Sequence, residues 1–264
     1  MGLNKGLLVS LLILLAGCQS FKNKSEEEKK QTDLSQTSVP GLYDIPSVVN
    51  YEKAAKLNVE LGMGYMNQNN FPRAKTKFMR SLDLAPNLPE TNYAYGYYLE
   101  KIGELANAEK YYIKAIRLDS KNGKSHNNYG AFLCRQGRYL EAEKSFLTAL
   151  EDPTYAKTAE VLENAGFCVM QIPNYAKAEQ YFERALRHDP NRHNAMLELA
   201  IIKYKHNQVA ESIAYYSTYT KLASPTKRSL LLGFKLAELS GDENKEASIR
   251  MLLDANFPNT TREL

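Results

Sequence analysis

The 264-residue chain carries 34 basic and 30 acidic residues, a net charge of +4, with 44% apolar and 24% charged residues. That balance is ordinary for a globular protein, and the charges are interspersed without a long run of one sign, so no concentrated basic patch points to nucleic acid as a partner. Tryptophan is absent, whereas tyrosine occurs 18 times, much of it at fixed intervals.

The first element reads as an export signal. Lys5 precedes an apolar run, Leu7 to Leu15, broken only by Ser10. A membrane-spanning helix needs about 20 apolar residues, so this shorter run fits the centre of a secretory signal peptide. It ends in Leu15-Ala16-Gly17-Cys18, which resembles the bacterial lipobox. In that signal the cysteine thiol takes the lipid and the chain is cut just before it. Small residues, here Ala16 and Gly17, let the peptidase reach the bond. Residues 1–17 are therefore expected to be a lipoprotein signal peptide, with Cys18 lipidated; the alternative is a secreted protein with an incidental cysteine. Three acyl chains exceed the two signals that stable anchoring takes. Gln19 stands where enterobacterial sorting rules place aspartate for inner-membrane retention, which points to the outer membrane, with the remaining chain facing the periplasm. Residues 18–46 are polar, rich in Lys, Glu, Ser, Thr and Gln. They cannot bury a core and read as a flexible tether, of which Gln19 to about Ser38 would span about 25 Å on average.

From residue 47 to 258 the chain is periodic. Gly62, Gly96, Gly130, Gly166 and Ala200 are separated by 34, 34, 36 and 34 residues. Twelve residues beyond each stand Ala74, Ala108, Ala142, Ala178 and Ser212, and four further on Phe78, Tyr112, Phe146, Phe182 and Tyr216. This resembles the tetratricopeptide repeat, a helix–turn–helix unit of about 34 residues. A glycine inside a helix costs about 1 kcal/mol relative to alanine, so four at one register need a packing reason. Two small residues let the first helix of a unit, helix A, cross the second, helix B, at close range, and the aromatic fills the space beside the crossing. Segments end near prolines such as Pro86 and Pro190, which stop helix B. A worn sixth unit holds Leu232-Gly233 and a turn at Ser240-Gly241-Asp242, as a terminal capping repeat would. The expected fold is all-α: a right-handed superhelix of six repeats, at 55–88, 89–122, 123–156, 159–192, 193–226 and 227–258, with one continuous core, a concave face of helix A side chains and a tail at 259–264.

Besides Cys18, the chain holds Cys134 and Cys168, both on helix A and 34 residues apart. In an oxidising periplasm the pair invites a disulfide. The two-residue insertion near "EDPTYAK" makes their relative direction uncertain, and the alternative is two small buried thiols. The four histidines, His126, His188, His193 and His206, form no metal-binding pattern, and no nucleophile elbow, phosphate loop or dinucleotide fingerprint is present. No enzyme, metal or cofactor other than the lipid on Cys18 is expected.

Repeat arrays of this kind bind partners in the groove, through residues two, five, nine and twelve of helix A. In the first two repeats these are Lys56, Val59, Met63, Met66, Glu90, Tyr93, Tyr97 and Glu100; the third contributes Lys124, Asn127, Ala131 and Cys134, and the fourth Glu160, Glu163, Phe167 and Met170. The expected contact patch is Val59, Met63, Met66, Tyr93, Tyr97 and Asn127, taking a peptide segment or a helix. Alternatively, the curvature of the array or the segment "GLYDIPSVV" covers these side chains.

The lipobox, the short polar tether, the six repeats and three local stretches occur together. Those stretches are "NNYGAFLCRQGRYLEAEKSF" at 127–146, "RSLLLGFKLAEL" at 228–239 and the closing "NFPNT". In this combination the chain resembles the type IV pilus biogenesis lipoproteins called PilF or PilW, the pilotins. The resemblance implies an outer-membrane lipoprotein that binds the pilus secretin and promotes its localisation and multimerisation, as a monomer when free. Its lipid attachment carries over to Cys18, and its secretin contact to the groove of the first repeats. A generic outer-membrane repeat scaffold, serving envelope assembly or recruiting peptidoglycan enzymes, would share the lipobox but not need the three stretches.

Overall fold

The computed structural model describes residues 50–172 and 174–258. The signal peptide, Cys18, the tether, the "GLYDIPSVV" segment and the tail at 259–264 lie outside the described residues. Twelve helices follow one another: α1 (Tyr51–Asn67), α2 (Phe71–Leu84), α3 (Pro89–Lys101), α4 (Leu105–Leu118), α5 (Gly123–Arg135), α6 (Tyr139–Ala149), α7 (Thr158–Val169), α8 (Tyr175–His188), α9 (His193–Lys205), α10 (Val209–Leu222), α11 (Lys227–Ser240) and α12 (Glu243–Asn256). They pair in sequence as six helix–turn–helix units, odd-numbered helices serving as A and even-numbered as B. The helices belong to one unit, Val49–Leu264.

Each crossing is built as its small residues require. A Cβ on Gly62 would stand 2.6 Å from the Phe78 ring, and one on Gly166 2.6 Å from the Phe182 ring; real Cβ atoms do not approach so closely. Phe78, Phe146 and Phe182 are all but inaccessible, as is Tyr112. Where the partner is serine instead of alanine, its hydroxyl finds an acceptor: Ser212 Oγ donates to Ala200 O at 2.7 Å. The turns between A and B share one device. Asn69, Gly103, Gly137, Asn207 and Gly241 occupy the left-handed region at φ between 55° and 85°, at equivalent positions of five units. Glycine and asparagine are the residues that enter this region at low cost. Side chains of Asn50, Asn70, Asn122, Asn174 and Asp242 then cap the helices that follow.

Two details depart from the expected pattern. Gly233 stands 33 residues beyond Ala200, one short of the repeat spacing, and it meets Tyr216 of the preceding helix α10, not a residue of its own partner α12. The last pair is thus shifted in register. In keeping with that shift, the core is not one continuous block. A main cluster runs from Val59 to Ile202, a second joins Met196, Tyr216, Leu232 and Leu236, and a third joins Leu230, Phe234, Ile249 and Leu253.

Candidate binding surface

The helix A face is the candidate surface, and the structure divides its residues into two rows. Along a helix of about 3.6 residues per turn, positions two and nine lie within about 20° of each other, as do positions five and twelve, and the two pairs are about 60° apart. Positions five and twelve turn toward the packed interior. Val59, Tyr93 and Met66 are accordingly only 5%, 6% and 7% exposed, and Asn127 4%. For these four the expected open groove is corrected: they join neighbouring helices and are not free to meet a partner. Met63, Tyr97, Ala131 and Phe167, the position-nine residues of four successive A helices, are only partly buried. They form the accessible apolar row.

Polar cross-links flank this row. Lys124 Nζ donates to Glu90 Oε1 at 2.8 Å and sits 5.3 Å above the Tyr93 ring, and the Tyr93 hydroxyl donates to the same carboxylate at 3.0 Å. Burial alone would raise the Glu90 carboxyl, but the Lys124 ammonium and the Tyr93 hydroxyl outweigh it and hold the group below the usual carboxylate range. About three turns farther along the same helix, Glu100 receives the Arg135 guanidinium and the Tyr112 hydroxyl. Farther along, the buried carboxylate of Glu163 takes Arg192 and the backbone N–H of Ala195, and that of Glu198 takes Arg228. A buried charge persists only with such partners. These pairs tie α3 to α5, α7 to α9 and α9 to α11, so along much of this face charge is engaged within the array.

The junction between α5 and α7 is the most heavily tied. Cys134 and Cys168 are joined by a disulfide, with Cα atoms 5.7 Å apart. Cys134 stands four residues beyond Gly130 and Cys168 two beyond Gly166, so the bridge joins non-equivalent positions of neighbouring A helices, offset by the insertion. The inserted loop itself folds back onto α5. Tyr155 lies against Gly123, whose N–H donates to Asp152 Oδ2 at 2.8 Å. Asn127 Nδ2 donates to the Tyr155 hydroxyl at 3.3 Å and to Glu160 Oε1 at 3.4 Å, while its Oδ1 accepts from Asn164 at 3.1 Å. Burial, and then the Glu160 carboxylate, push the Tyr155 hydroxyl up to about 12. No feature of a lone asparagine announced this network; Tyr155 inside the insertion was the available hint.

Among the described residues, no three His, Cys, Asp or Glu side chains gather as metal ligands. The surface is equipped for contact, through a row of apolar side chains on a scaffold held by cross-links.

Three models of the tetratricopeptide repeat match the chain, at residues 89–122, 121–191 and 174–226. The type IV pilus assembly protein PilF of Pseudomonas aeruginosa is 32% identical over 207 residues, covering 78% of this chain and 82% of that protein. A solved structure of P. aeruginosa PilF superposes with a TM-score of 0.75 at 32% identity, over 80% of this chain and 96% of that one. The crystal structure of PilW, described as a widely conserved type IV pilus biogenesis factor, gives 0.69 at 26% identity, over 79% and 96%. The chain belongs to the PilF family of tetratricopeptide-repeat proteins, which are type IV pilus assembly factors and not enzymes.

Proposed function

We propose that this protein is a pilotin: an outer-membrane lipoprotein that binds the type IV pilus secretin and promotes its localisation and multimerisation. The single observation that supports the contact is the accessible row of Met63, Tyr97, Ala131 and Phe167 on an otherwise internally paired face. Apolar side chains left open on such a face suit an apolar peptide segment or helix. Cys18 supplies the membrane address through its lipid, and the tether lets the array reach cargo. No bond is made or broken; the protein acts by holding the secretin subunit where multimers form.

The test scores the secretin as heat-resistant multimer in separated membranes. Wild type, a deletion, Cys18→Ala, and Met63→Asp with Tyr97→Ala are compared. Deletion should remove the multimer, Cys18→Ala should misplace it, and the double variant should reduce it at unchanged protein level. A multimer that stays intact in the outer membrane of the deletion strain would sink the pilotin reading and favour a generic envelope scaffold.

A further inference from the structure

A second apolar site lies away from the helix A row, where α4, α5 and α6 meet. It is a cleft of about 360 Å³, open to solvent, and none of the groove residues lines it. Leu133 is buried at its base, with Ile113, Ile116 and Tyr129 half-buried around it. Half of the lining, including Tyr129, Leu133 and Lys144, comes from the 127–146 stretch that stands out from the generic repeat. Pilus secretin binding through the helix A row makes no use of it.

The walls are held in place. The Tyr129 hydroxyl donates to Glu109 Oε1 at 2.9 Å, Arg138 donates to the same oxygen at 2.6 Å, and its other nitrogens donate to Glu141 at 2.7 and 2.8 Å. The anions on this side are thereby engaged by Arg138. Arg117 of α4 and Lys144 of α6 are exposed at the cleft, and neither has an ion-pair partner among the described residues. An apolar hollow straddled by Arg117 and Lys144, and still net positive once Glu109 and Glu141 are counted against Arg138, complements a ligand that is apolar and anionic. Its volume is at the small end of the range for ligand pockets, which suits a few side chains and not a whole cofactor. Its openness suits a chain running across it, since small-molecule sites enclose most of their ligand.

We propose that this cleft binds a peptide segment of a partner in which an aspartate or glutamate adjoins two or more aliphatic or aromatic residues. The apolar side chains fill the hollow over Leu133, and the carboxylate lies between Arg117 and Lys144.

The test uses the chain from residue 18 onward, carrying Cys18→Ser, and random peptides of about a dozen residues displayed on phage. Peptides are selected on this chain and counter-selected on Thr148→Trp, whose indole fills the cleft. Survivors should carry the acidic–apolar pattern and should bind at least about tenfold more weakly to Arg117→Glu with Lys144→Glu. Both of those positions are exposed, so this variant keeps the fold even where Thr148→Trp does not. Survivors lacking an acidic residue, survivors that bind the charge-reversed chain equally, or no survivors at all would overturn the proposal. Decanoate that binds wild type but not Thr148→Trp, with no peptide surviving, would assign the cleft to acyl ligands instead.

Discussion

The first junction of the array and the third are built from the same repeat, yet they are held by different forces. Between the first and second helix pairs the interhelical packing is mainly apolar: Val59, Met66 and Tyr93 are buried together, and the Phe78 and Tyr98 rings lie 5.9 Å apart, while Thr91 and Asn92 donate to the carbonyls of Ala85 and Pro86 in the connecting turn. Among the described residues no ion pair involves α1 or α2. Between the third and fourth pairs stand the Cys134–Cys168 disulfide, the Asn127 network and the Asp152 loop. Apolar contact is non-directional, so the first junction can adjust by small slides. Hydrogen bonds and a covalent bridge tolerate one geometry only. The array therefore has a fixed middle and an adaptable leading end, and half of the accessible row, Met63 and Tyr97, lies at that end.

The largest effect should come from the bridge. It closes a 34-residue separation, so Cys134→Ala with Cys168→Ala should lower the unfolding free energy by about 3–4 kcal/mol, read by denaturant titration. Amide exchange in the intact protein should already be faster in α1 and α2 than in α5 and α7, and the double variant should narrow that gap. Slower exchange in the first pair than at the bridged junction would break the contrast.

Removing the polar part should cost less. Asn127→Ala strips partners from Tyr155, Glu160 and Asn164 in a buried setting, and should destabilise by about 1–3 kcal/mol. A loss near zero would mean that the insertion loop contributes little to the junction. This residue also marks where sequence reading stops. Gly62, Gly130 and Gly166 were legible because a close helix crossing leaves room for nothing else, and the aromatics opposite them followed. The left-handed turn residues Asn69, Gly103, Gly137, Asn207 and Gly241 recur at the same register and were equally legible. Val59, Met66, Tyr93 and Asn127 were misplaced for a different reason. Four positions spread over about 80° of a helix straddle the boundary between interior and groove, and only the tilt of the neighbouring helix decides which side each takes. The cleft over Leu133 was invisible for a related reason: it is a gap between helices from two repeats, and no single stretch encodes a gap.

Acid should weaken the same junction, with a sign set by Asp152. Its carboxylate accepts from the Thr154 hydroxyl at 2.7 Å, and from the N–H groups of Gly123 and Thr154 at 2.8 and 2.9 Å. The Thr154 hydroxyl first, and then these backbone donors, hold it below the ordinary aspartate value of 3.8. A carboxyl lowered on folding stabilises the fold above its unfolded value, and that contribution fades as the pH falls through the folded value. Wild type should therefore exceed Asp152→Asn in stability at neutral pH, and the difference should shrink only below the ordinary value of 3.8. A difference that is constant with pH would show that the loop is held by Tyr155 packing and not by the carboxylate.

The smallest effect on stability should come from the leading end, and there the comparison bears on function. Met63 and Tyr97 are partly accessible, so Met63→Ala and Tyr97→Ala should each cost within about 1 kcal/mol, as changes at the surface commonly do. If the adaptable end carries the contact, these two variants should depress secretin multimer while leaving thermal unfolding nearly unchanged. Phe167→Ala, in the same row but beside the bridged junction, should do the reverse: its ring meets that of Phe182 at 5.2 Å, so its loss should be felt in stability more than in multimer. A single row of equivalent positions would then be split by what lies behind it. Where the backing can shift, an apolar side chain is available to a partner; where the backing is stapled, the same position is occupied by its own fold. Equal multimer loss from all three substitutions would mean instead that the secretin segment spans the bridged junction, and that rigidity is part of what it recognises.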